Sequence, residues 1–135
     1  MKQIANIISL VTPKSATNYL KEKTTIRQAV EKFDYHKFSV VPIIDEEGKY
    51  LTTVSEGDIL RYIKNCCDFN IEKAENTLVL DIDHYRGYQA VRIDATYEEV
   101  FELIISQNFI PVVDDRGIYV GIIRRRDVIL AQSDD

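Results

Sequence analysis

The run VPIIDEEGKYLTTVSEGDIL, Val41 to Leu60, returns in the second half of the chain as IPVVDDRGIYVGIIRRRDVIL, beginning at Ile110. Placing Pro42 on Pro111 aligns Asp45 with Asp114, Gly48 with Gly117, Tyr50 with Tyr119 and Asp58 with Asp127, and no gap interrupts the stretch. A register held that long marks a duplication, so whatever the chain folds into must be built from two copies of one unit.

The chemistry of the unit predicts its elements. VVPII and IPVV are short, rich in β-branched residues and followed by Asp and Gly turn signals, which predicts strands buried on both faces. YLTTV and YVGII are the return strands. Upstream, TTIRQAVEKF and ATYEEVFELI each place Gln28 or Glu99 three residues after a threonine, the spacing of a capping box. Beyond those caps Ile26, Ala29, Val30 and Phe33, and likewise Tyr97, Val100, Phe101 and Ile104, fall on one helical stripe. A last helix carries Ile59, Leu60 and Ile63 in one half and Val128, Ile129 and Leu130 in the other. Extended leading segments, SATNYL and YQAVRI, precede each unit, and a short helix is expected around IEKAENTLVLDI.

The expected organisation is a first domain over 1–64, a connecting segment over 65–86 and a second domain over 87–135. A unit of about 55 residues buries too little surface to be comfortably stable alone. Two such units sharing a core form an α/β pseudo-two-fold pair of repeated β-α-β-β-α units, with the two small sheets face to face.

Composition bounds the function. With 135 residues, 45% hydrophobic and 29% charged, the chain reads as globular, without a signal-peptide core or a span of roughly 20 apolar residues, so a cytoplasmic address is expected and no membrane. A net charge of -5 argues against a general nucleic-acid binder, since phosphates call for a basic excess. Cys66 and Cys67 are adjacent, suited to neither a staple nor spaced metal ligands, and are expected as reduced thiols. His36 and His84 stand alone and are expected to be solvated or packed. No nucleophile, base and orienter set, no metal-ligand cluster and no phosphate loop is present, so no catalytic residue, metal or catalytic cofactor is expected.

The threonine-capped helix, the P-I/V-I/V-D-x-x-G turn and the strand running into GDIL or RDVIL together resemble the CBS domain, and the duplication is similar to a tandem CBS pair, or Bateman module. The resemblance covers about 115 residues; VTPKS, TIRQAVEKF, GKYLTTVSEGDIL and QNFIPVVDDRGIYVGII resemble stand-alone bacterial CBS-pair proteins. It implies a non-catalytic regulatory module that binds an adenine nucleotide as a regulatory ligand in a cleft between the two CBS domains and signals occupancy to a protein partner, in a homodimer. The alternative is a structural dimerisation module with no ligand.

The family pattern puts a hydroxyl three residues before an aspartate at the start of the last helix, where the carboxylate takes ribose hydroxyls and the hydroxyl and helix N–H groups take phosphate. In the first half these are Ser55 and Asp58, residues that a plain helix start also selects. In the second half Arg124 replaces the hydroxyl, within RRRD. Its guanidinium can hold phosphate, or one arginine of the run can pair with Asp114 or Asp115 while the others are solvated. Thr25 to Pro42 also spans two residues more than Thr96 to Pro111, so the halves are not expected to bind equally. The resemblance implies that one cleft combines Ser15, Ala16, Thr17, Asn18, Phe38 and Ser39 with Arg124, Arg126 and Asp127. Phe38 offers a face for adenine or packs as core. A second ligand site would combine Ser55 and Asp58 with Ala90 and Asn108. Among AMP, ADP, ATP, cyclic di-AMP and S-adenosylmethionine, the arginines favour the phosphorylated ligands. The expected dimer surface comprises Leu60, Tyr62, Ile63, Val128 and Ile129.

Overall fold

The computed structural model describes residues 6–84 and 88–132. In chain order the elements are β1 (Val11–Pro13), β2 (Leu20–Lys21), α1 (Ile26–His36), β3 (Val40–Ile44), β4 (Tyr50–Ser55), α2 (Glu56–Cys67), α3 (Ile71–Ala74), β5 (Val91–Arg92), α4 (Tyr97–Ile104), β6 (Phe109–Val113), β7 (Tyr119–Arg124) and α5 (Arg125–Gln132). Short 3-10 turns at Ile8–Leu10, Lys14–Ala16 and Val79–Asp81 join them. Each repeat thus contains the expected strand, helix, strand, strand and helix. No helix among the described residues is long and apolar enough to cross a membrane.

Local chemistry fixes the helix starts. Thr25 and Thr96 each accept a hydrogen bond from the N–H of Gln28 or Glu99, whose side chain in turn accepts one from the threonine N–H. Ser55 and Asp58 form a third such box at α2, closed in both directions at 2.9 and 3.1 Å. The two-residue difference between repeats is realised at the far ends of the capped helices. In the first half α1 runs to His36 and ends on Lys37 in the left-handed region, whereas α4 stops at Ile104 with Ile105 still right-handed.

Two compact units result, and they cut across the sequence repeat. One holds the described residues up to Asn18, the hairpin tip Glu47–Tyr50, and the residues from Tyr88 on; the other holds Tyr19–Glu46 and Leu51 to His84. The N-terminal segment joins the second-half unit because β1 pairs antiparallel with β7, Val11 opposite Ile123 and Pro13 opposite Gly121, giving the four-stranded order β1-β7-β6-β5. Ile7, Leu10, Val91, Val100, Ile104, Ile110, Val112, Ile123 and Val128 form its core. The other unit has the three-stranded order β2-β3-β4 over a core that includes Leu20, Ile26, Phe33, Val41, Ile43, Val54, Ile59 and Ile63.

The turns of the two β hairpins pair with each other. Tyr50 donates its backbone N–H to Gly117 at 3.1 Å and Tyr119 donates to Gly48 at 2.9 Å, two bonds related by the repeat itself. Gly48 and Gly117 both have positive φ, +91° and +85°, which a side chain would disfavour. Asp114 secures the second turn by accepting from the N–H groups of Arg116 and Ile118 at 2.8 and 2.9 Å. Desolvation pushes its carboxyl upward, but these two bonds and the Arg116 guanidinium outweigh it and hold the pKa below the ordinary value. A lowered pKa stabilises the fold above the unfolded carboxylate range and is lost as pH falls through it, so this turn loosens only in acid.

Three expectations are corrected. Cys66 and Cys67 are joined as a disulfide of adjacent residues at the end of α2, not left as reduced thiols; adjacency rules out a long-range staple but not a bond across one peptide. Ile63 and Val128 are buried, each facing its own unit's core, so of the expected docking residues Leu60 and Ile129 remain exposed, at 58% and 57%. Phe101 does not complete the buried stripe of α4: it lies exposed and stacks on Tyr97. His36 is exposed, whereas His84 is half-buried with Nδ1 2.8 Å from the Thr53 carbonyl oxygen.

Candidate functional site

The three arginines at the junction of β7 and α5 have unlike surroundings. Arg125 turns back onto the end of α4: Nε donates to the Ile104 carbonyl at 2.9 Å and its terminal nitrogen to those of Ile105 and Gln107 at 3.4 and 3.0 Å. A cation over the last carbonyls of a helix satisfies acceptors that have no partner within the helix and complements its dipole. Arg125→Ala is therefore expected to lower stability by about 1–3 kcal/mol, the cost of losing charged hydrogen bonds. Thermal unfolding checks this, and an unchanged midpoint would contradict it.

Arg124 stands where the first repeat has Ser55, and cannot close a capping box. Its Nε instead donates to Asp127 Oδ2 at 3.1 Å, with side-chain exposures of 52% and 26%. Among the described residues, neither terminal guanidinium nitrogen of Arg124 takes part in a further hydrogen bond, nor does the second carboxylate oxygen of Asp127. Arg126 is exposed and has no partner among the described residues. Asp114, the partner considered for this run, is engaged with Arg116 instead.

Asp58, equivalent to Asp127 in sequence, sits in unlike surroundings. Only 3% exposed, it takes the Ser55 N–H on one oxygen and Arg61 on the other at 2.6 Å. Both expected roles of Ser55 and Asp58 in starting a helix are thus filled by protein groups. Ser39 and Asn108 are exposed, and their carbonyls accept the first N–H of α2 and of α5, respectively. Phe38 is partly buried, tilted against Phe33 at 4.7 Å and stacked on His36 at 5.9 Å.

Among the leading segments, Ser15, Ala16 and Asn18 are exposed and Thr17 is half-buried. The Lys14–Ala16 turn packs on β7 at its Tyr119 end. Arg124 closes β7 and pairs with Asp127 in the first turn of α5. Ala90 is half-buried and lines a surface depression with Gln89, Arg92 and Glu99.

Sequence reasoning missed three features. Gln107, the counterpart of Phe38, is 7% exposed and fills its place by bonding to the backbone of Gln89 at 2.8 and 3.1 Å and to the Phe109 carbonyl at 3.1 Å. In the sequence Arg125 is only one of a charge run, and the shortened helix before it is the signal for a capping cation. The alignment of Tyr50 with Tyr119 by itself assigns their hydroxyls no task.

The α/β unit of strand, helix, strand, strand and helix, present twice, defines the class of fold. The CBS domain family matches residues 9–65 and 81–134, and the chain belongs to that family. It is similar to a segment of the A-adding tRNA nucleotidyltransferase of Aquifex aeolicus (strain VF5), 28% identical over 118 residues, which are 86% of this chain and 13% of that protein. The chain thus spans about one eighth of that curated relative. Solved CBS-pair structures match nearly end to end. The CbpB protein of Listeria monocytogenes, in complex with c-di-AMP, has a TM-score of 0.83 at 21% identity, with 94% of this chain and 93% of that one covered. CBSX2 in complex with AMP has a TM-score of 0.74 at 25% identity, covering 95% and 96%.

Proposed function

We propose that the chain is a non-catalytic regulatory module that binds an adenine nucleotide and reports its occupancy to a partner protein. The observation that carries this reading is the Arg124 and Asp127 pair at the start of α5. Asp127 keeps one carboxylate oxygen for ribose hydroxyls, and Arg124 keeps a donor fork for phosphate. Support also comes from the AMP complex of CBSX2 at 25% identity. Arg126 adds a second exposed cation. In this reading Ser15, Ala16, Thr17 and Asn18 belong to the same ligand-binding set, as do Phe38 and Ser39. Ser55, Asp58, Ala90 and Asn108 form the lesser set, because Asp58 and Ser55 are already occupied by the helix cap. A ligand shifts the module only as far as it binds one arrangement better than another, and a partner reads that difference.

A thermal-shift panel of AMP, ADP, ATP, cyclic di-AMP and S-adenosylmethionine tests the reading. A ligand that binds only the folded chain at a hundred times its Kd adds about 2.7 kcal/mol, a visible rise in midpoint. No rise with any of the five would favour the ligand-free dimerisation module. The same reading takes the exposed apolar residues Leu60, Ile129, Leu130 and Ile105 as surface for association of two copies. Sedimentation should then show a species larger than 15.6 kDa; a monomer at high concentration would contradict it.

A further inference from the structure

Tyr119 is 1% exposed, yet its hydroxyl has a polar task. It lies 2.8 Å from Thr17 Oγ1, and Thr17 Oγ1 also donates to the Lys14 carbonyl at 2.8 Å. A hydroxyl carries one proton, so Tyr119 must be the donor in the shared bond. The Thr17 N–H closes on the same Lys14 carbonyl at 3.0 Å. The tyrosine therefore holds the turn through which Ser15, Ala16 and Thr17 are presented.

The repeat contains the same device a second time. Tyr50, equivalent to Tyr119, donates its hydroxyl to the Tyr88 carbonyl at 2.9 Å. Thr17 and Tyr88 are themselves equivalent: each stands three residues before the strand, β2 or β5, whose first residue pairs with Ile43 or with its counterpart Val112. Each tyrosine thus reaches the leading segment of the opposite repeat, from a hairpin turn whose backbone is tied to the opposite turn through Gly48 and Gly117. The tie recurs at equivalent residues, although it ends on the Thr17 side chain in one case and on the Tyr88 backbone carbonyl in the other.

We propose that Tyr50 and Tyr119 are positioning residues for nucleotide binding, their hydroxyls fixing Tyr88–Ala90 and Ser15–Asn18 in the conformation that meets the ligand; this rests on the nucleotide-binding reading above. Neither ring needs to touch the ligand. Removing one hydroxyl leaves the ring packing in place and frees one segment, so the ordering cost of that segment falls on binding.

The test uses Tyr119→Phe, Tyr50→Phe and Thr17→Val, with hydrogen exchange of the ligand-free chain and titration with AMP and cyclic di-AMP, well below the unfolding midpoint. Tyr119→Phe should speed exchange at Ser15–Asn18 and raise Kd about 2–10-fold, the range of one neutral hydrogen bond. Tyr50→Phe should do so at Tyr88–Ala90. The Tyr119→Phe, Thr17→Val double variant should lose no more affinity than Thr17→Val alone, because the bond lost in Tyr119→Phe is already lost in Thr17→Val. Unchanged exchange would overturn the positioning claim, as would additive losses. Faster exchange with unchanged Kd would show that the segment is held but not used for binding, and would overturn the proposal while leaving the functional reading standing. Wild-type chain that binds neither probe would overturn both.

Discussion

Gly121→Ala should lower the unfolding midpoint by roughly 5–15 °C, the shift expected from about 1–3 kcal/mol of overpacking in a domain of this size. Gly121 lies in β7 opposite Pro13 of β1. A methyl group built there would overlap the Thr12 carbonyl oxygen and come 2.9 Å from Val11 Cγ1. The carbonyl is backbone and cannot swing aside, so the cost must be met by moving β1 off the sheet, and with it Leu10 and Ile7 from the core. Gly117→Ala is the contrast. Nothing lies within 4 Å of its missing methyl, so only its positive φ is penalised, about 1 kcal/mol. Thermal melts of the two variants check the difference; a Gly121→Ala midpoint within experimental error of wild type would mean that β1 is not held as described.

The second large effect concerns binding. Asp127→Ala should reduce nucleotide affinity on the order of 10–100-fold, since each hydrogen bond to a charged group contributes about 1.5–3 kcal/mol. Its midpoint should hardly move, because Asp127 is partly exposed and its start of helix has no hydroxyl with which to form a capping box. Asp58→Ala should do the reverse. There the carboxylate is buried, caps α2 and pairs with Arg61, and about 0.5–2 kcal/mol of stability should go with the cap. A stability loss at Asp127 with affinity intact would make it a helix residue and nothing more.

Much of the fold could be read from residue order because the strongest signals were local. The capping boxes at Thr25 and Thr96, the β-branched strands before each Asp and Gly turn, and the register of the repeat all act within a few residues. The pairing of β1 with β7 could not be read in this way, since Val11–Pro13 has no partner pattern of its own and its place depends on Gly121, far along the chain. The site was legible in part. RRRD marked the right helix, but charge alone did not separate Arg125, which caps α4, from Arg124, which pairs with Asp127. Aligned aspartates suggested equal roles, whereas a single change, Ser55 to Arg124, removes the hydroxyl that closes the cap and leaves Asp127 with an oxygen to offer.

The most direct measurement of the central claim is a calorimetric titration of wild type and Arg124→Ala with AMP and with adenosine, repeated at two salt concentrations. The account predicts that wild type binds AMP, that Arg124→Ala weakens AMP binding and flattens its salt dependence, and that adenosine affinity barely changes, because only the phosphate contact has been removed. Equal AMP affinity in both proteins, or no binding of AMP by wild type, would contradict it.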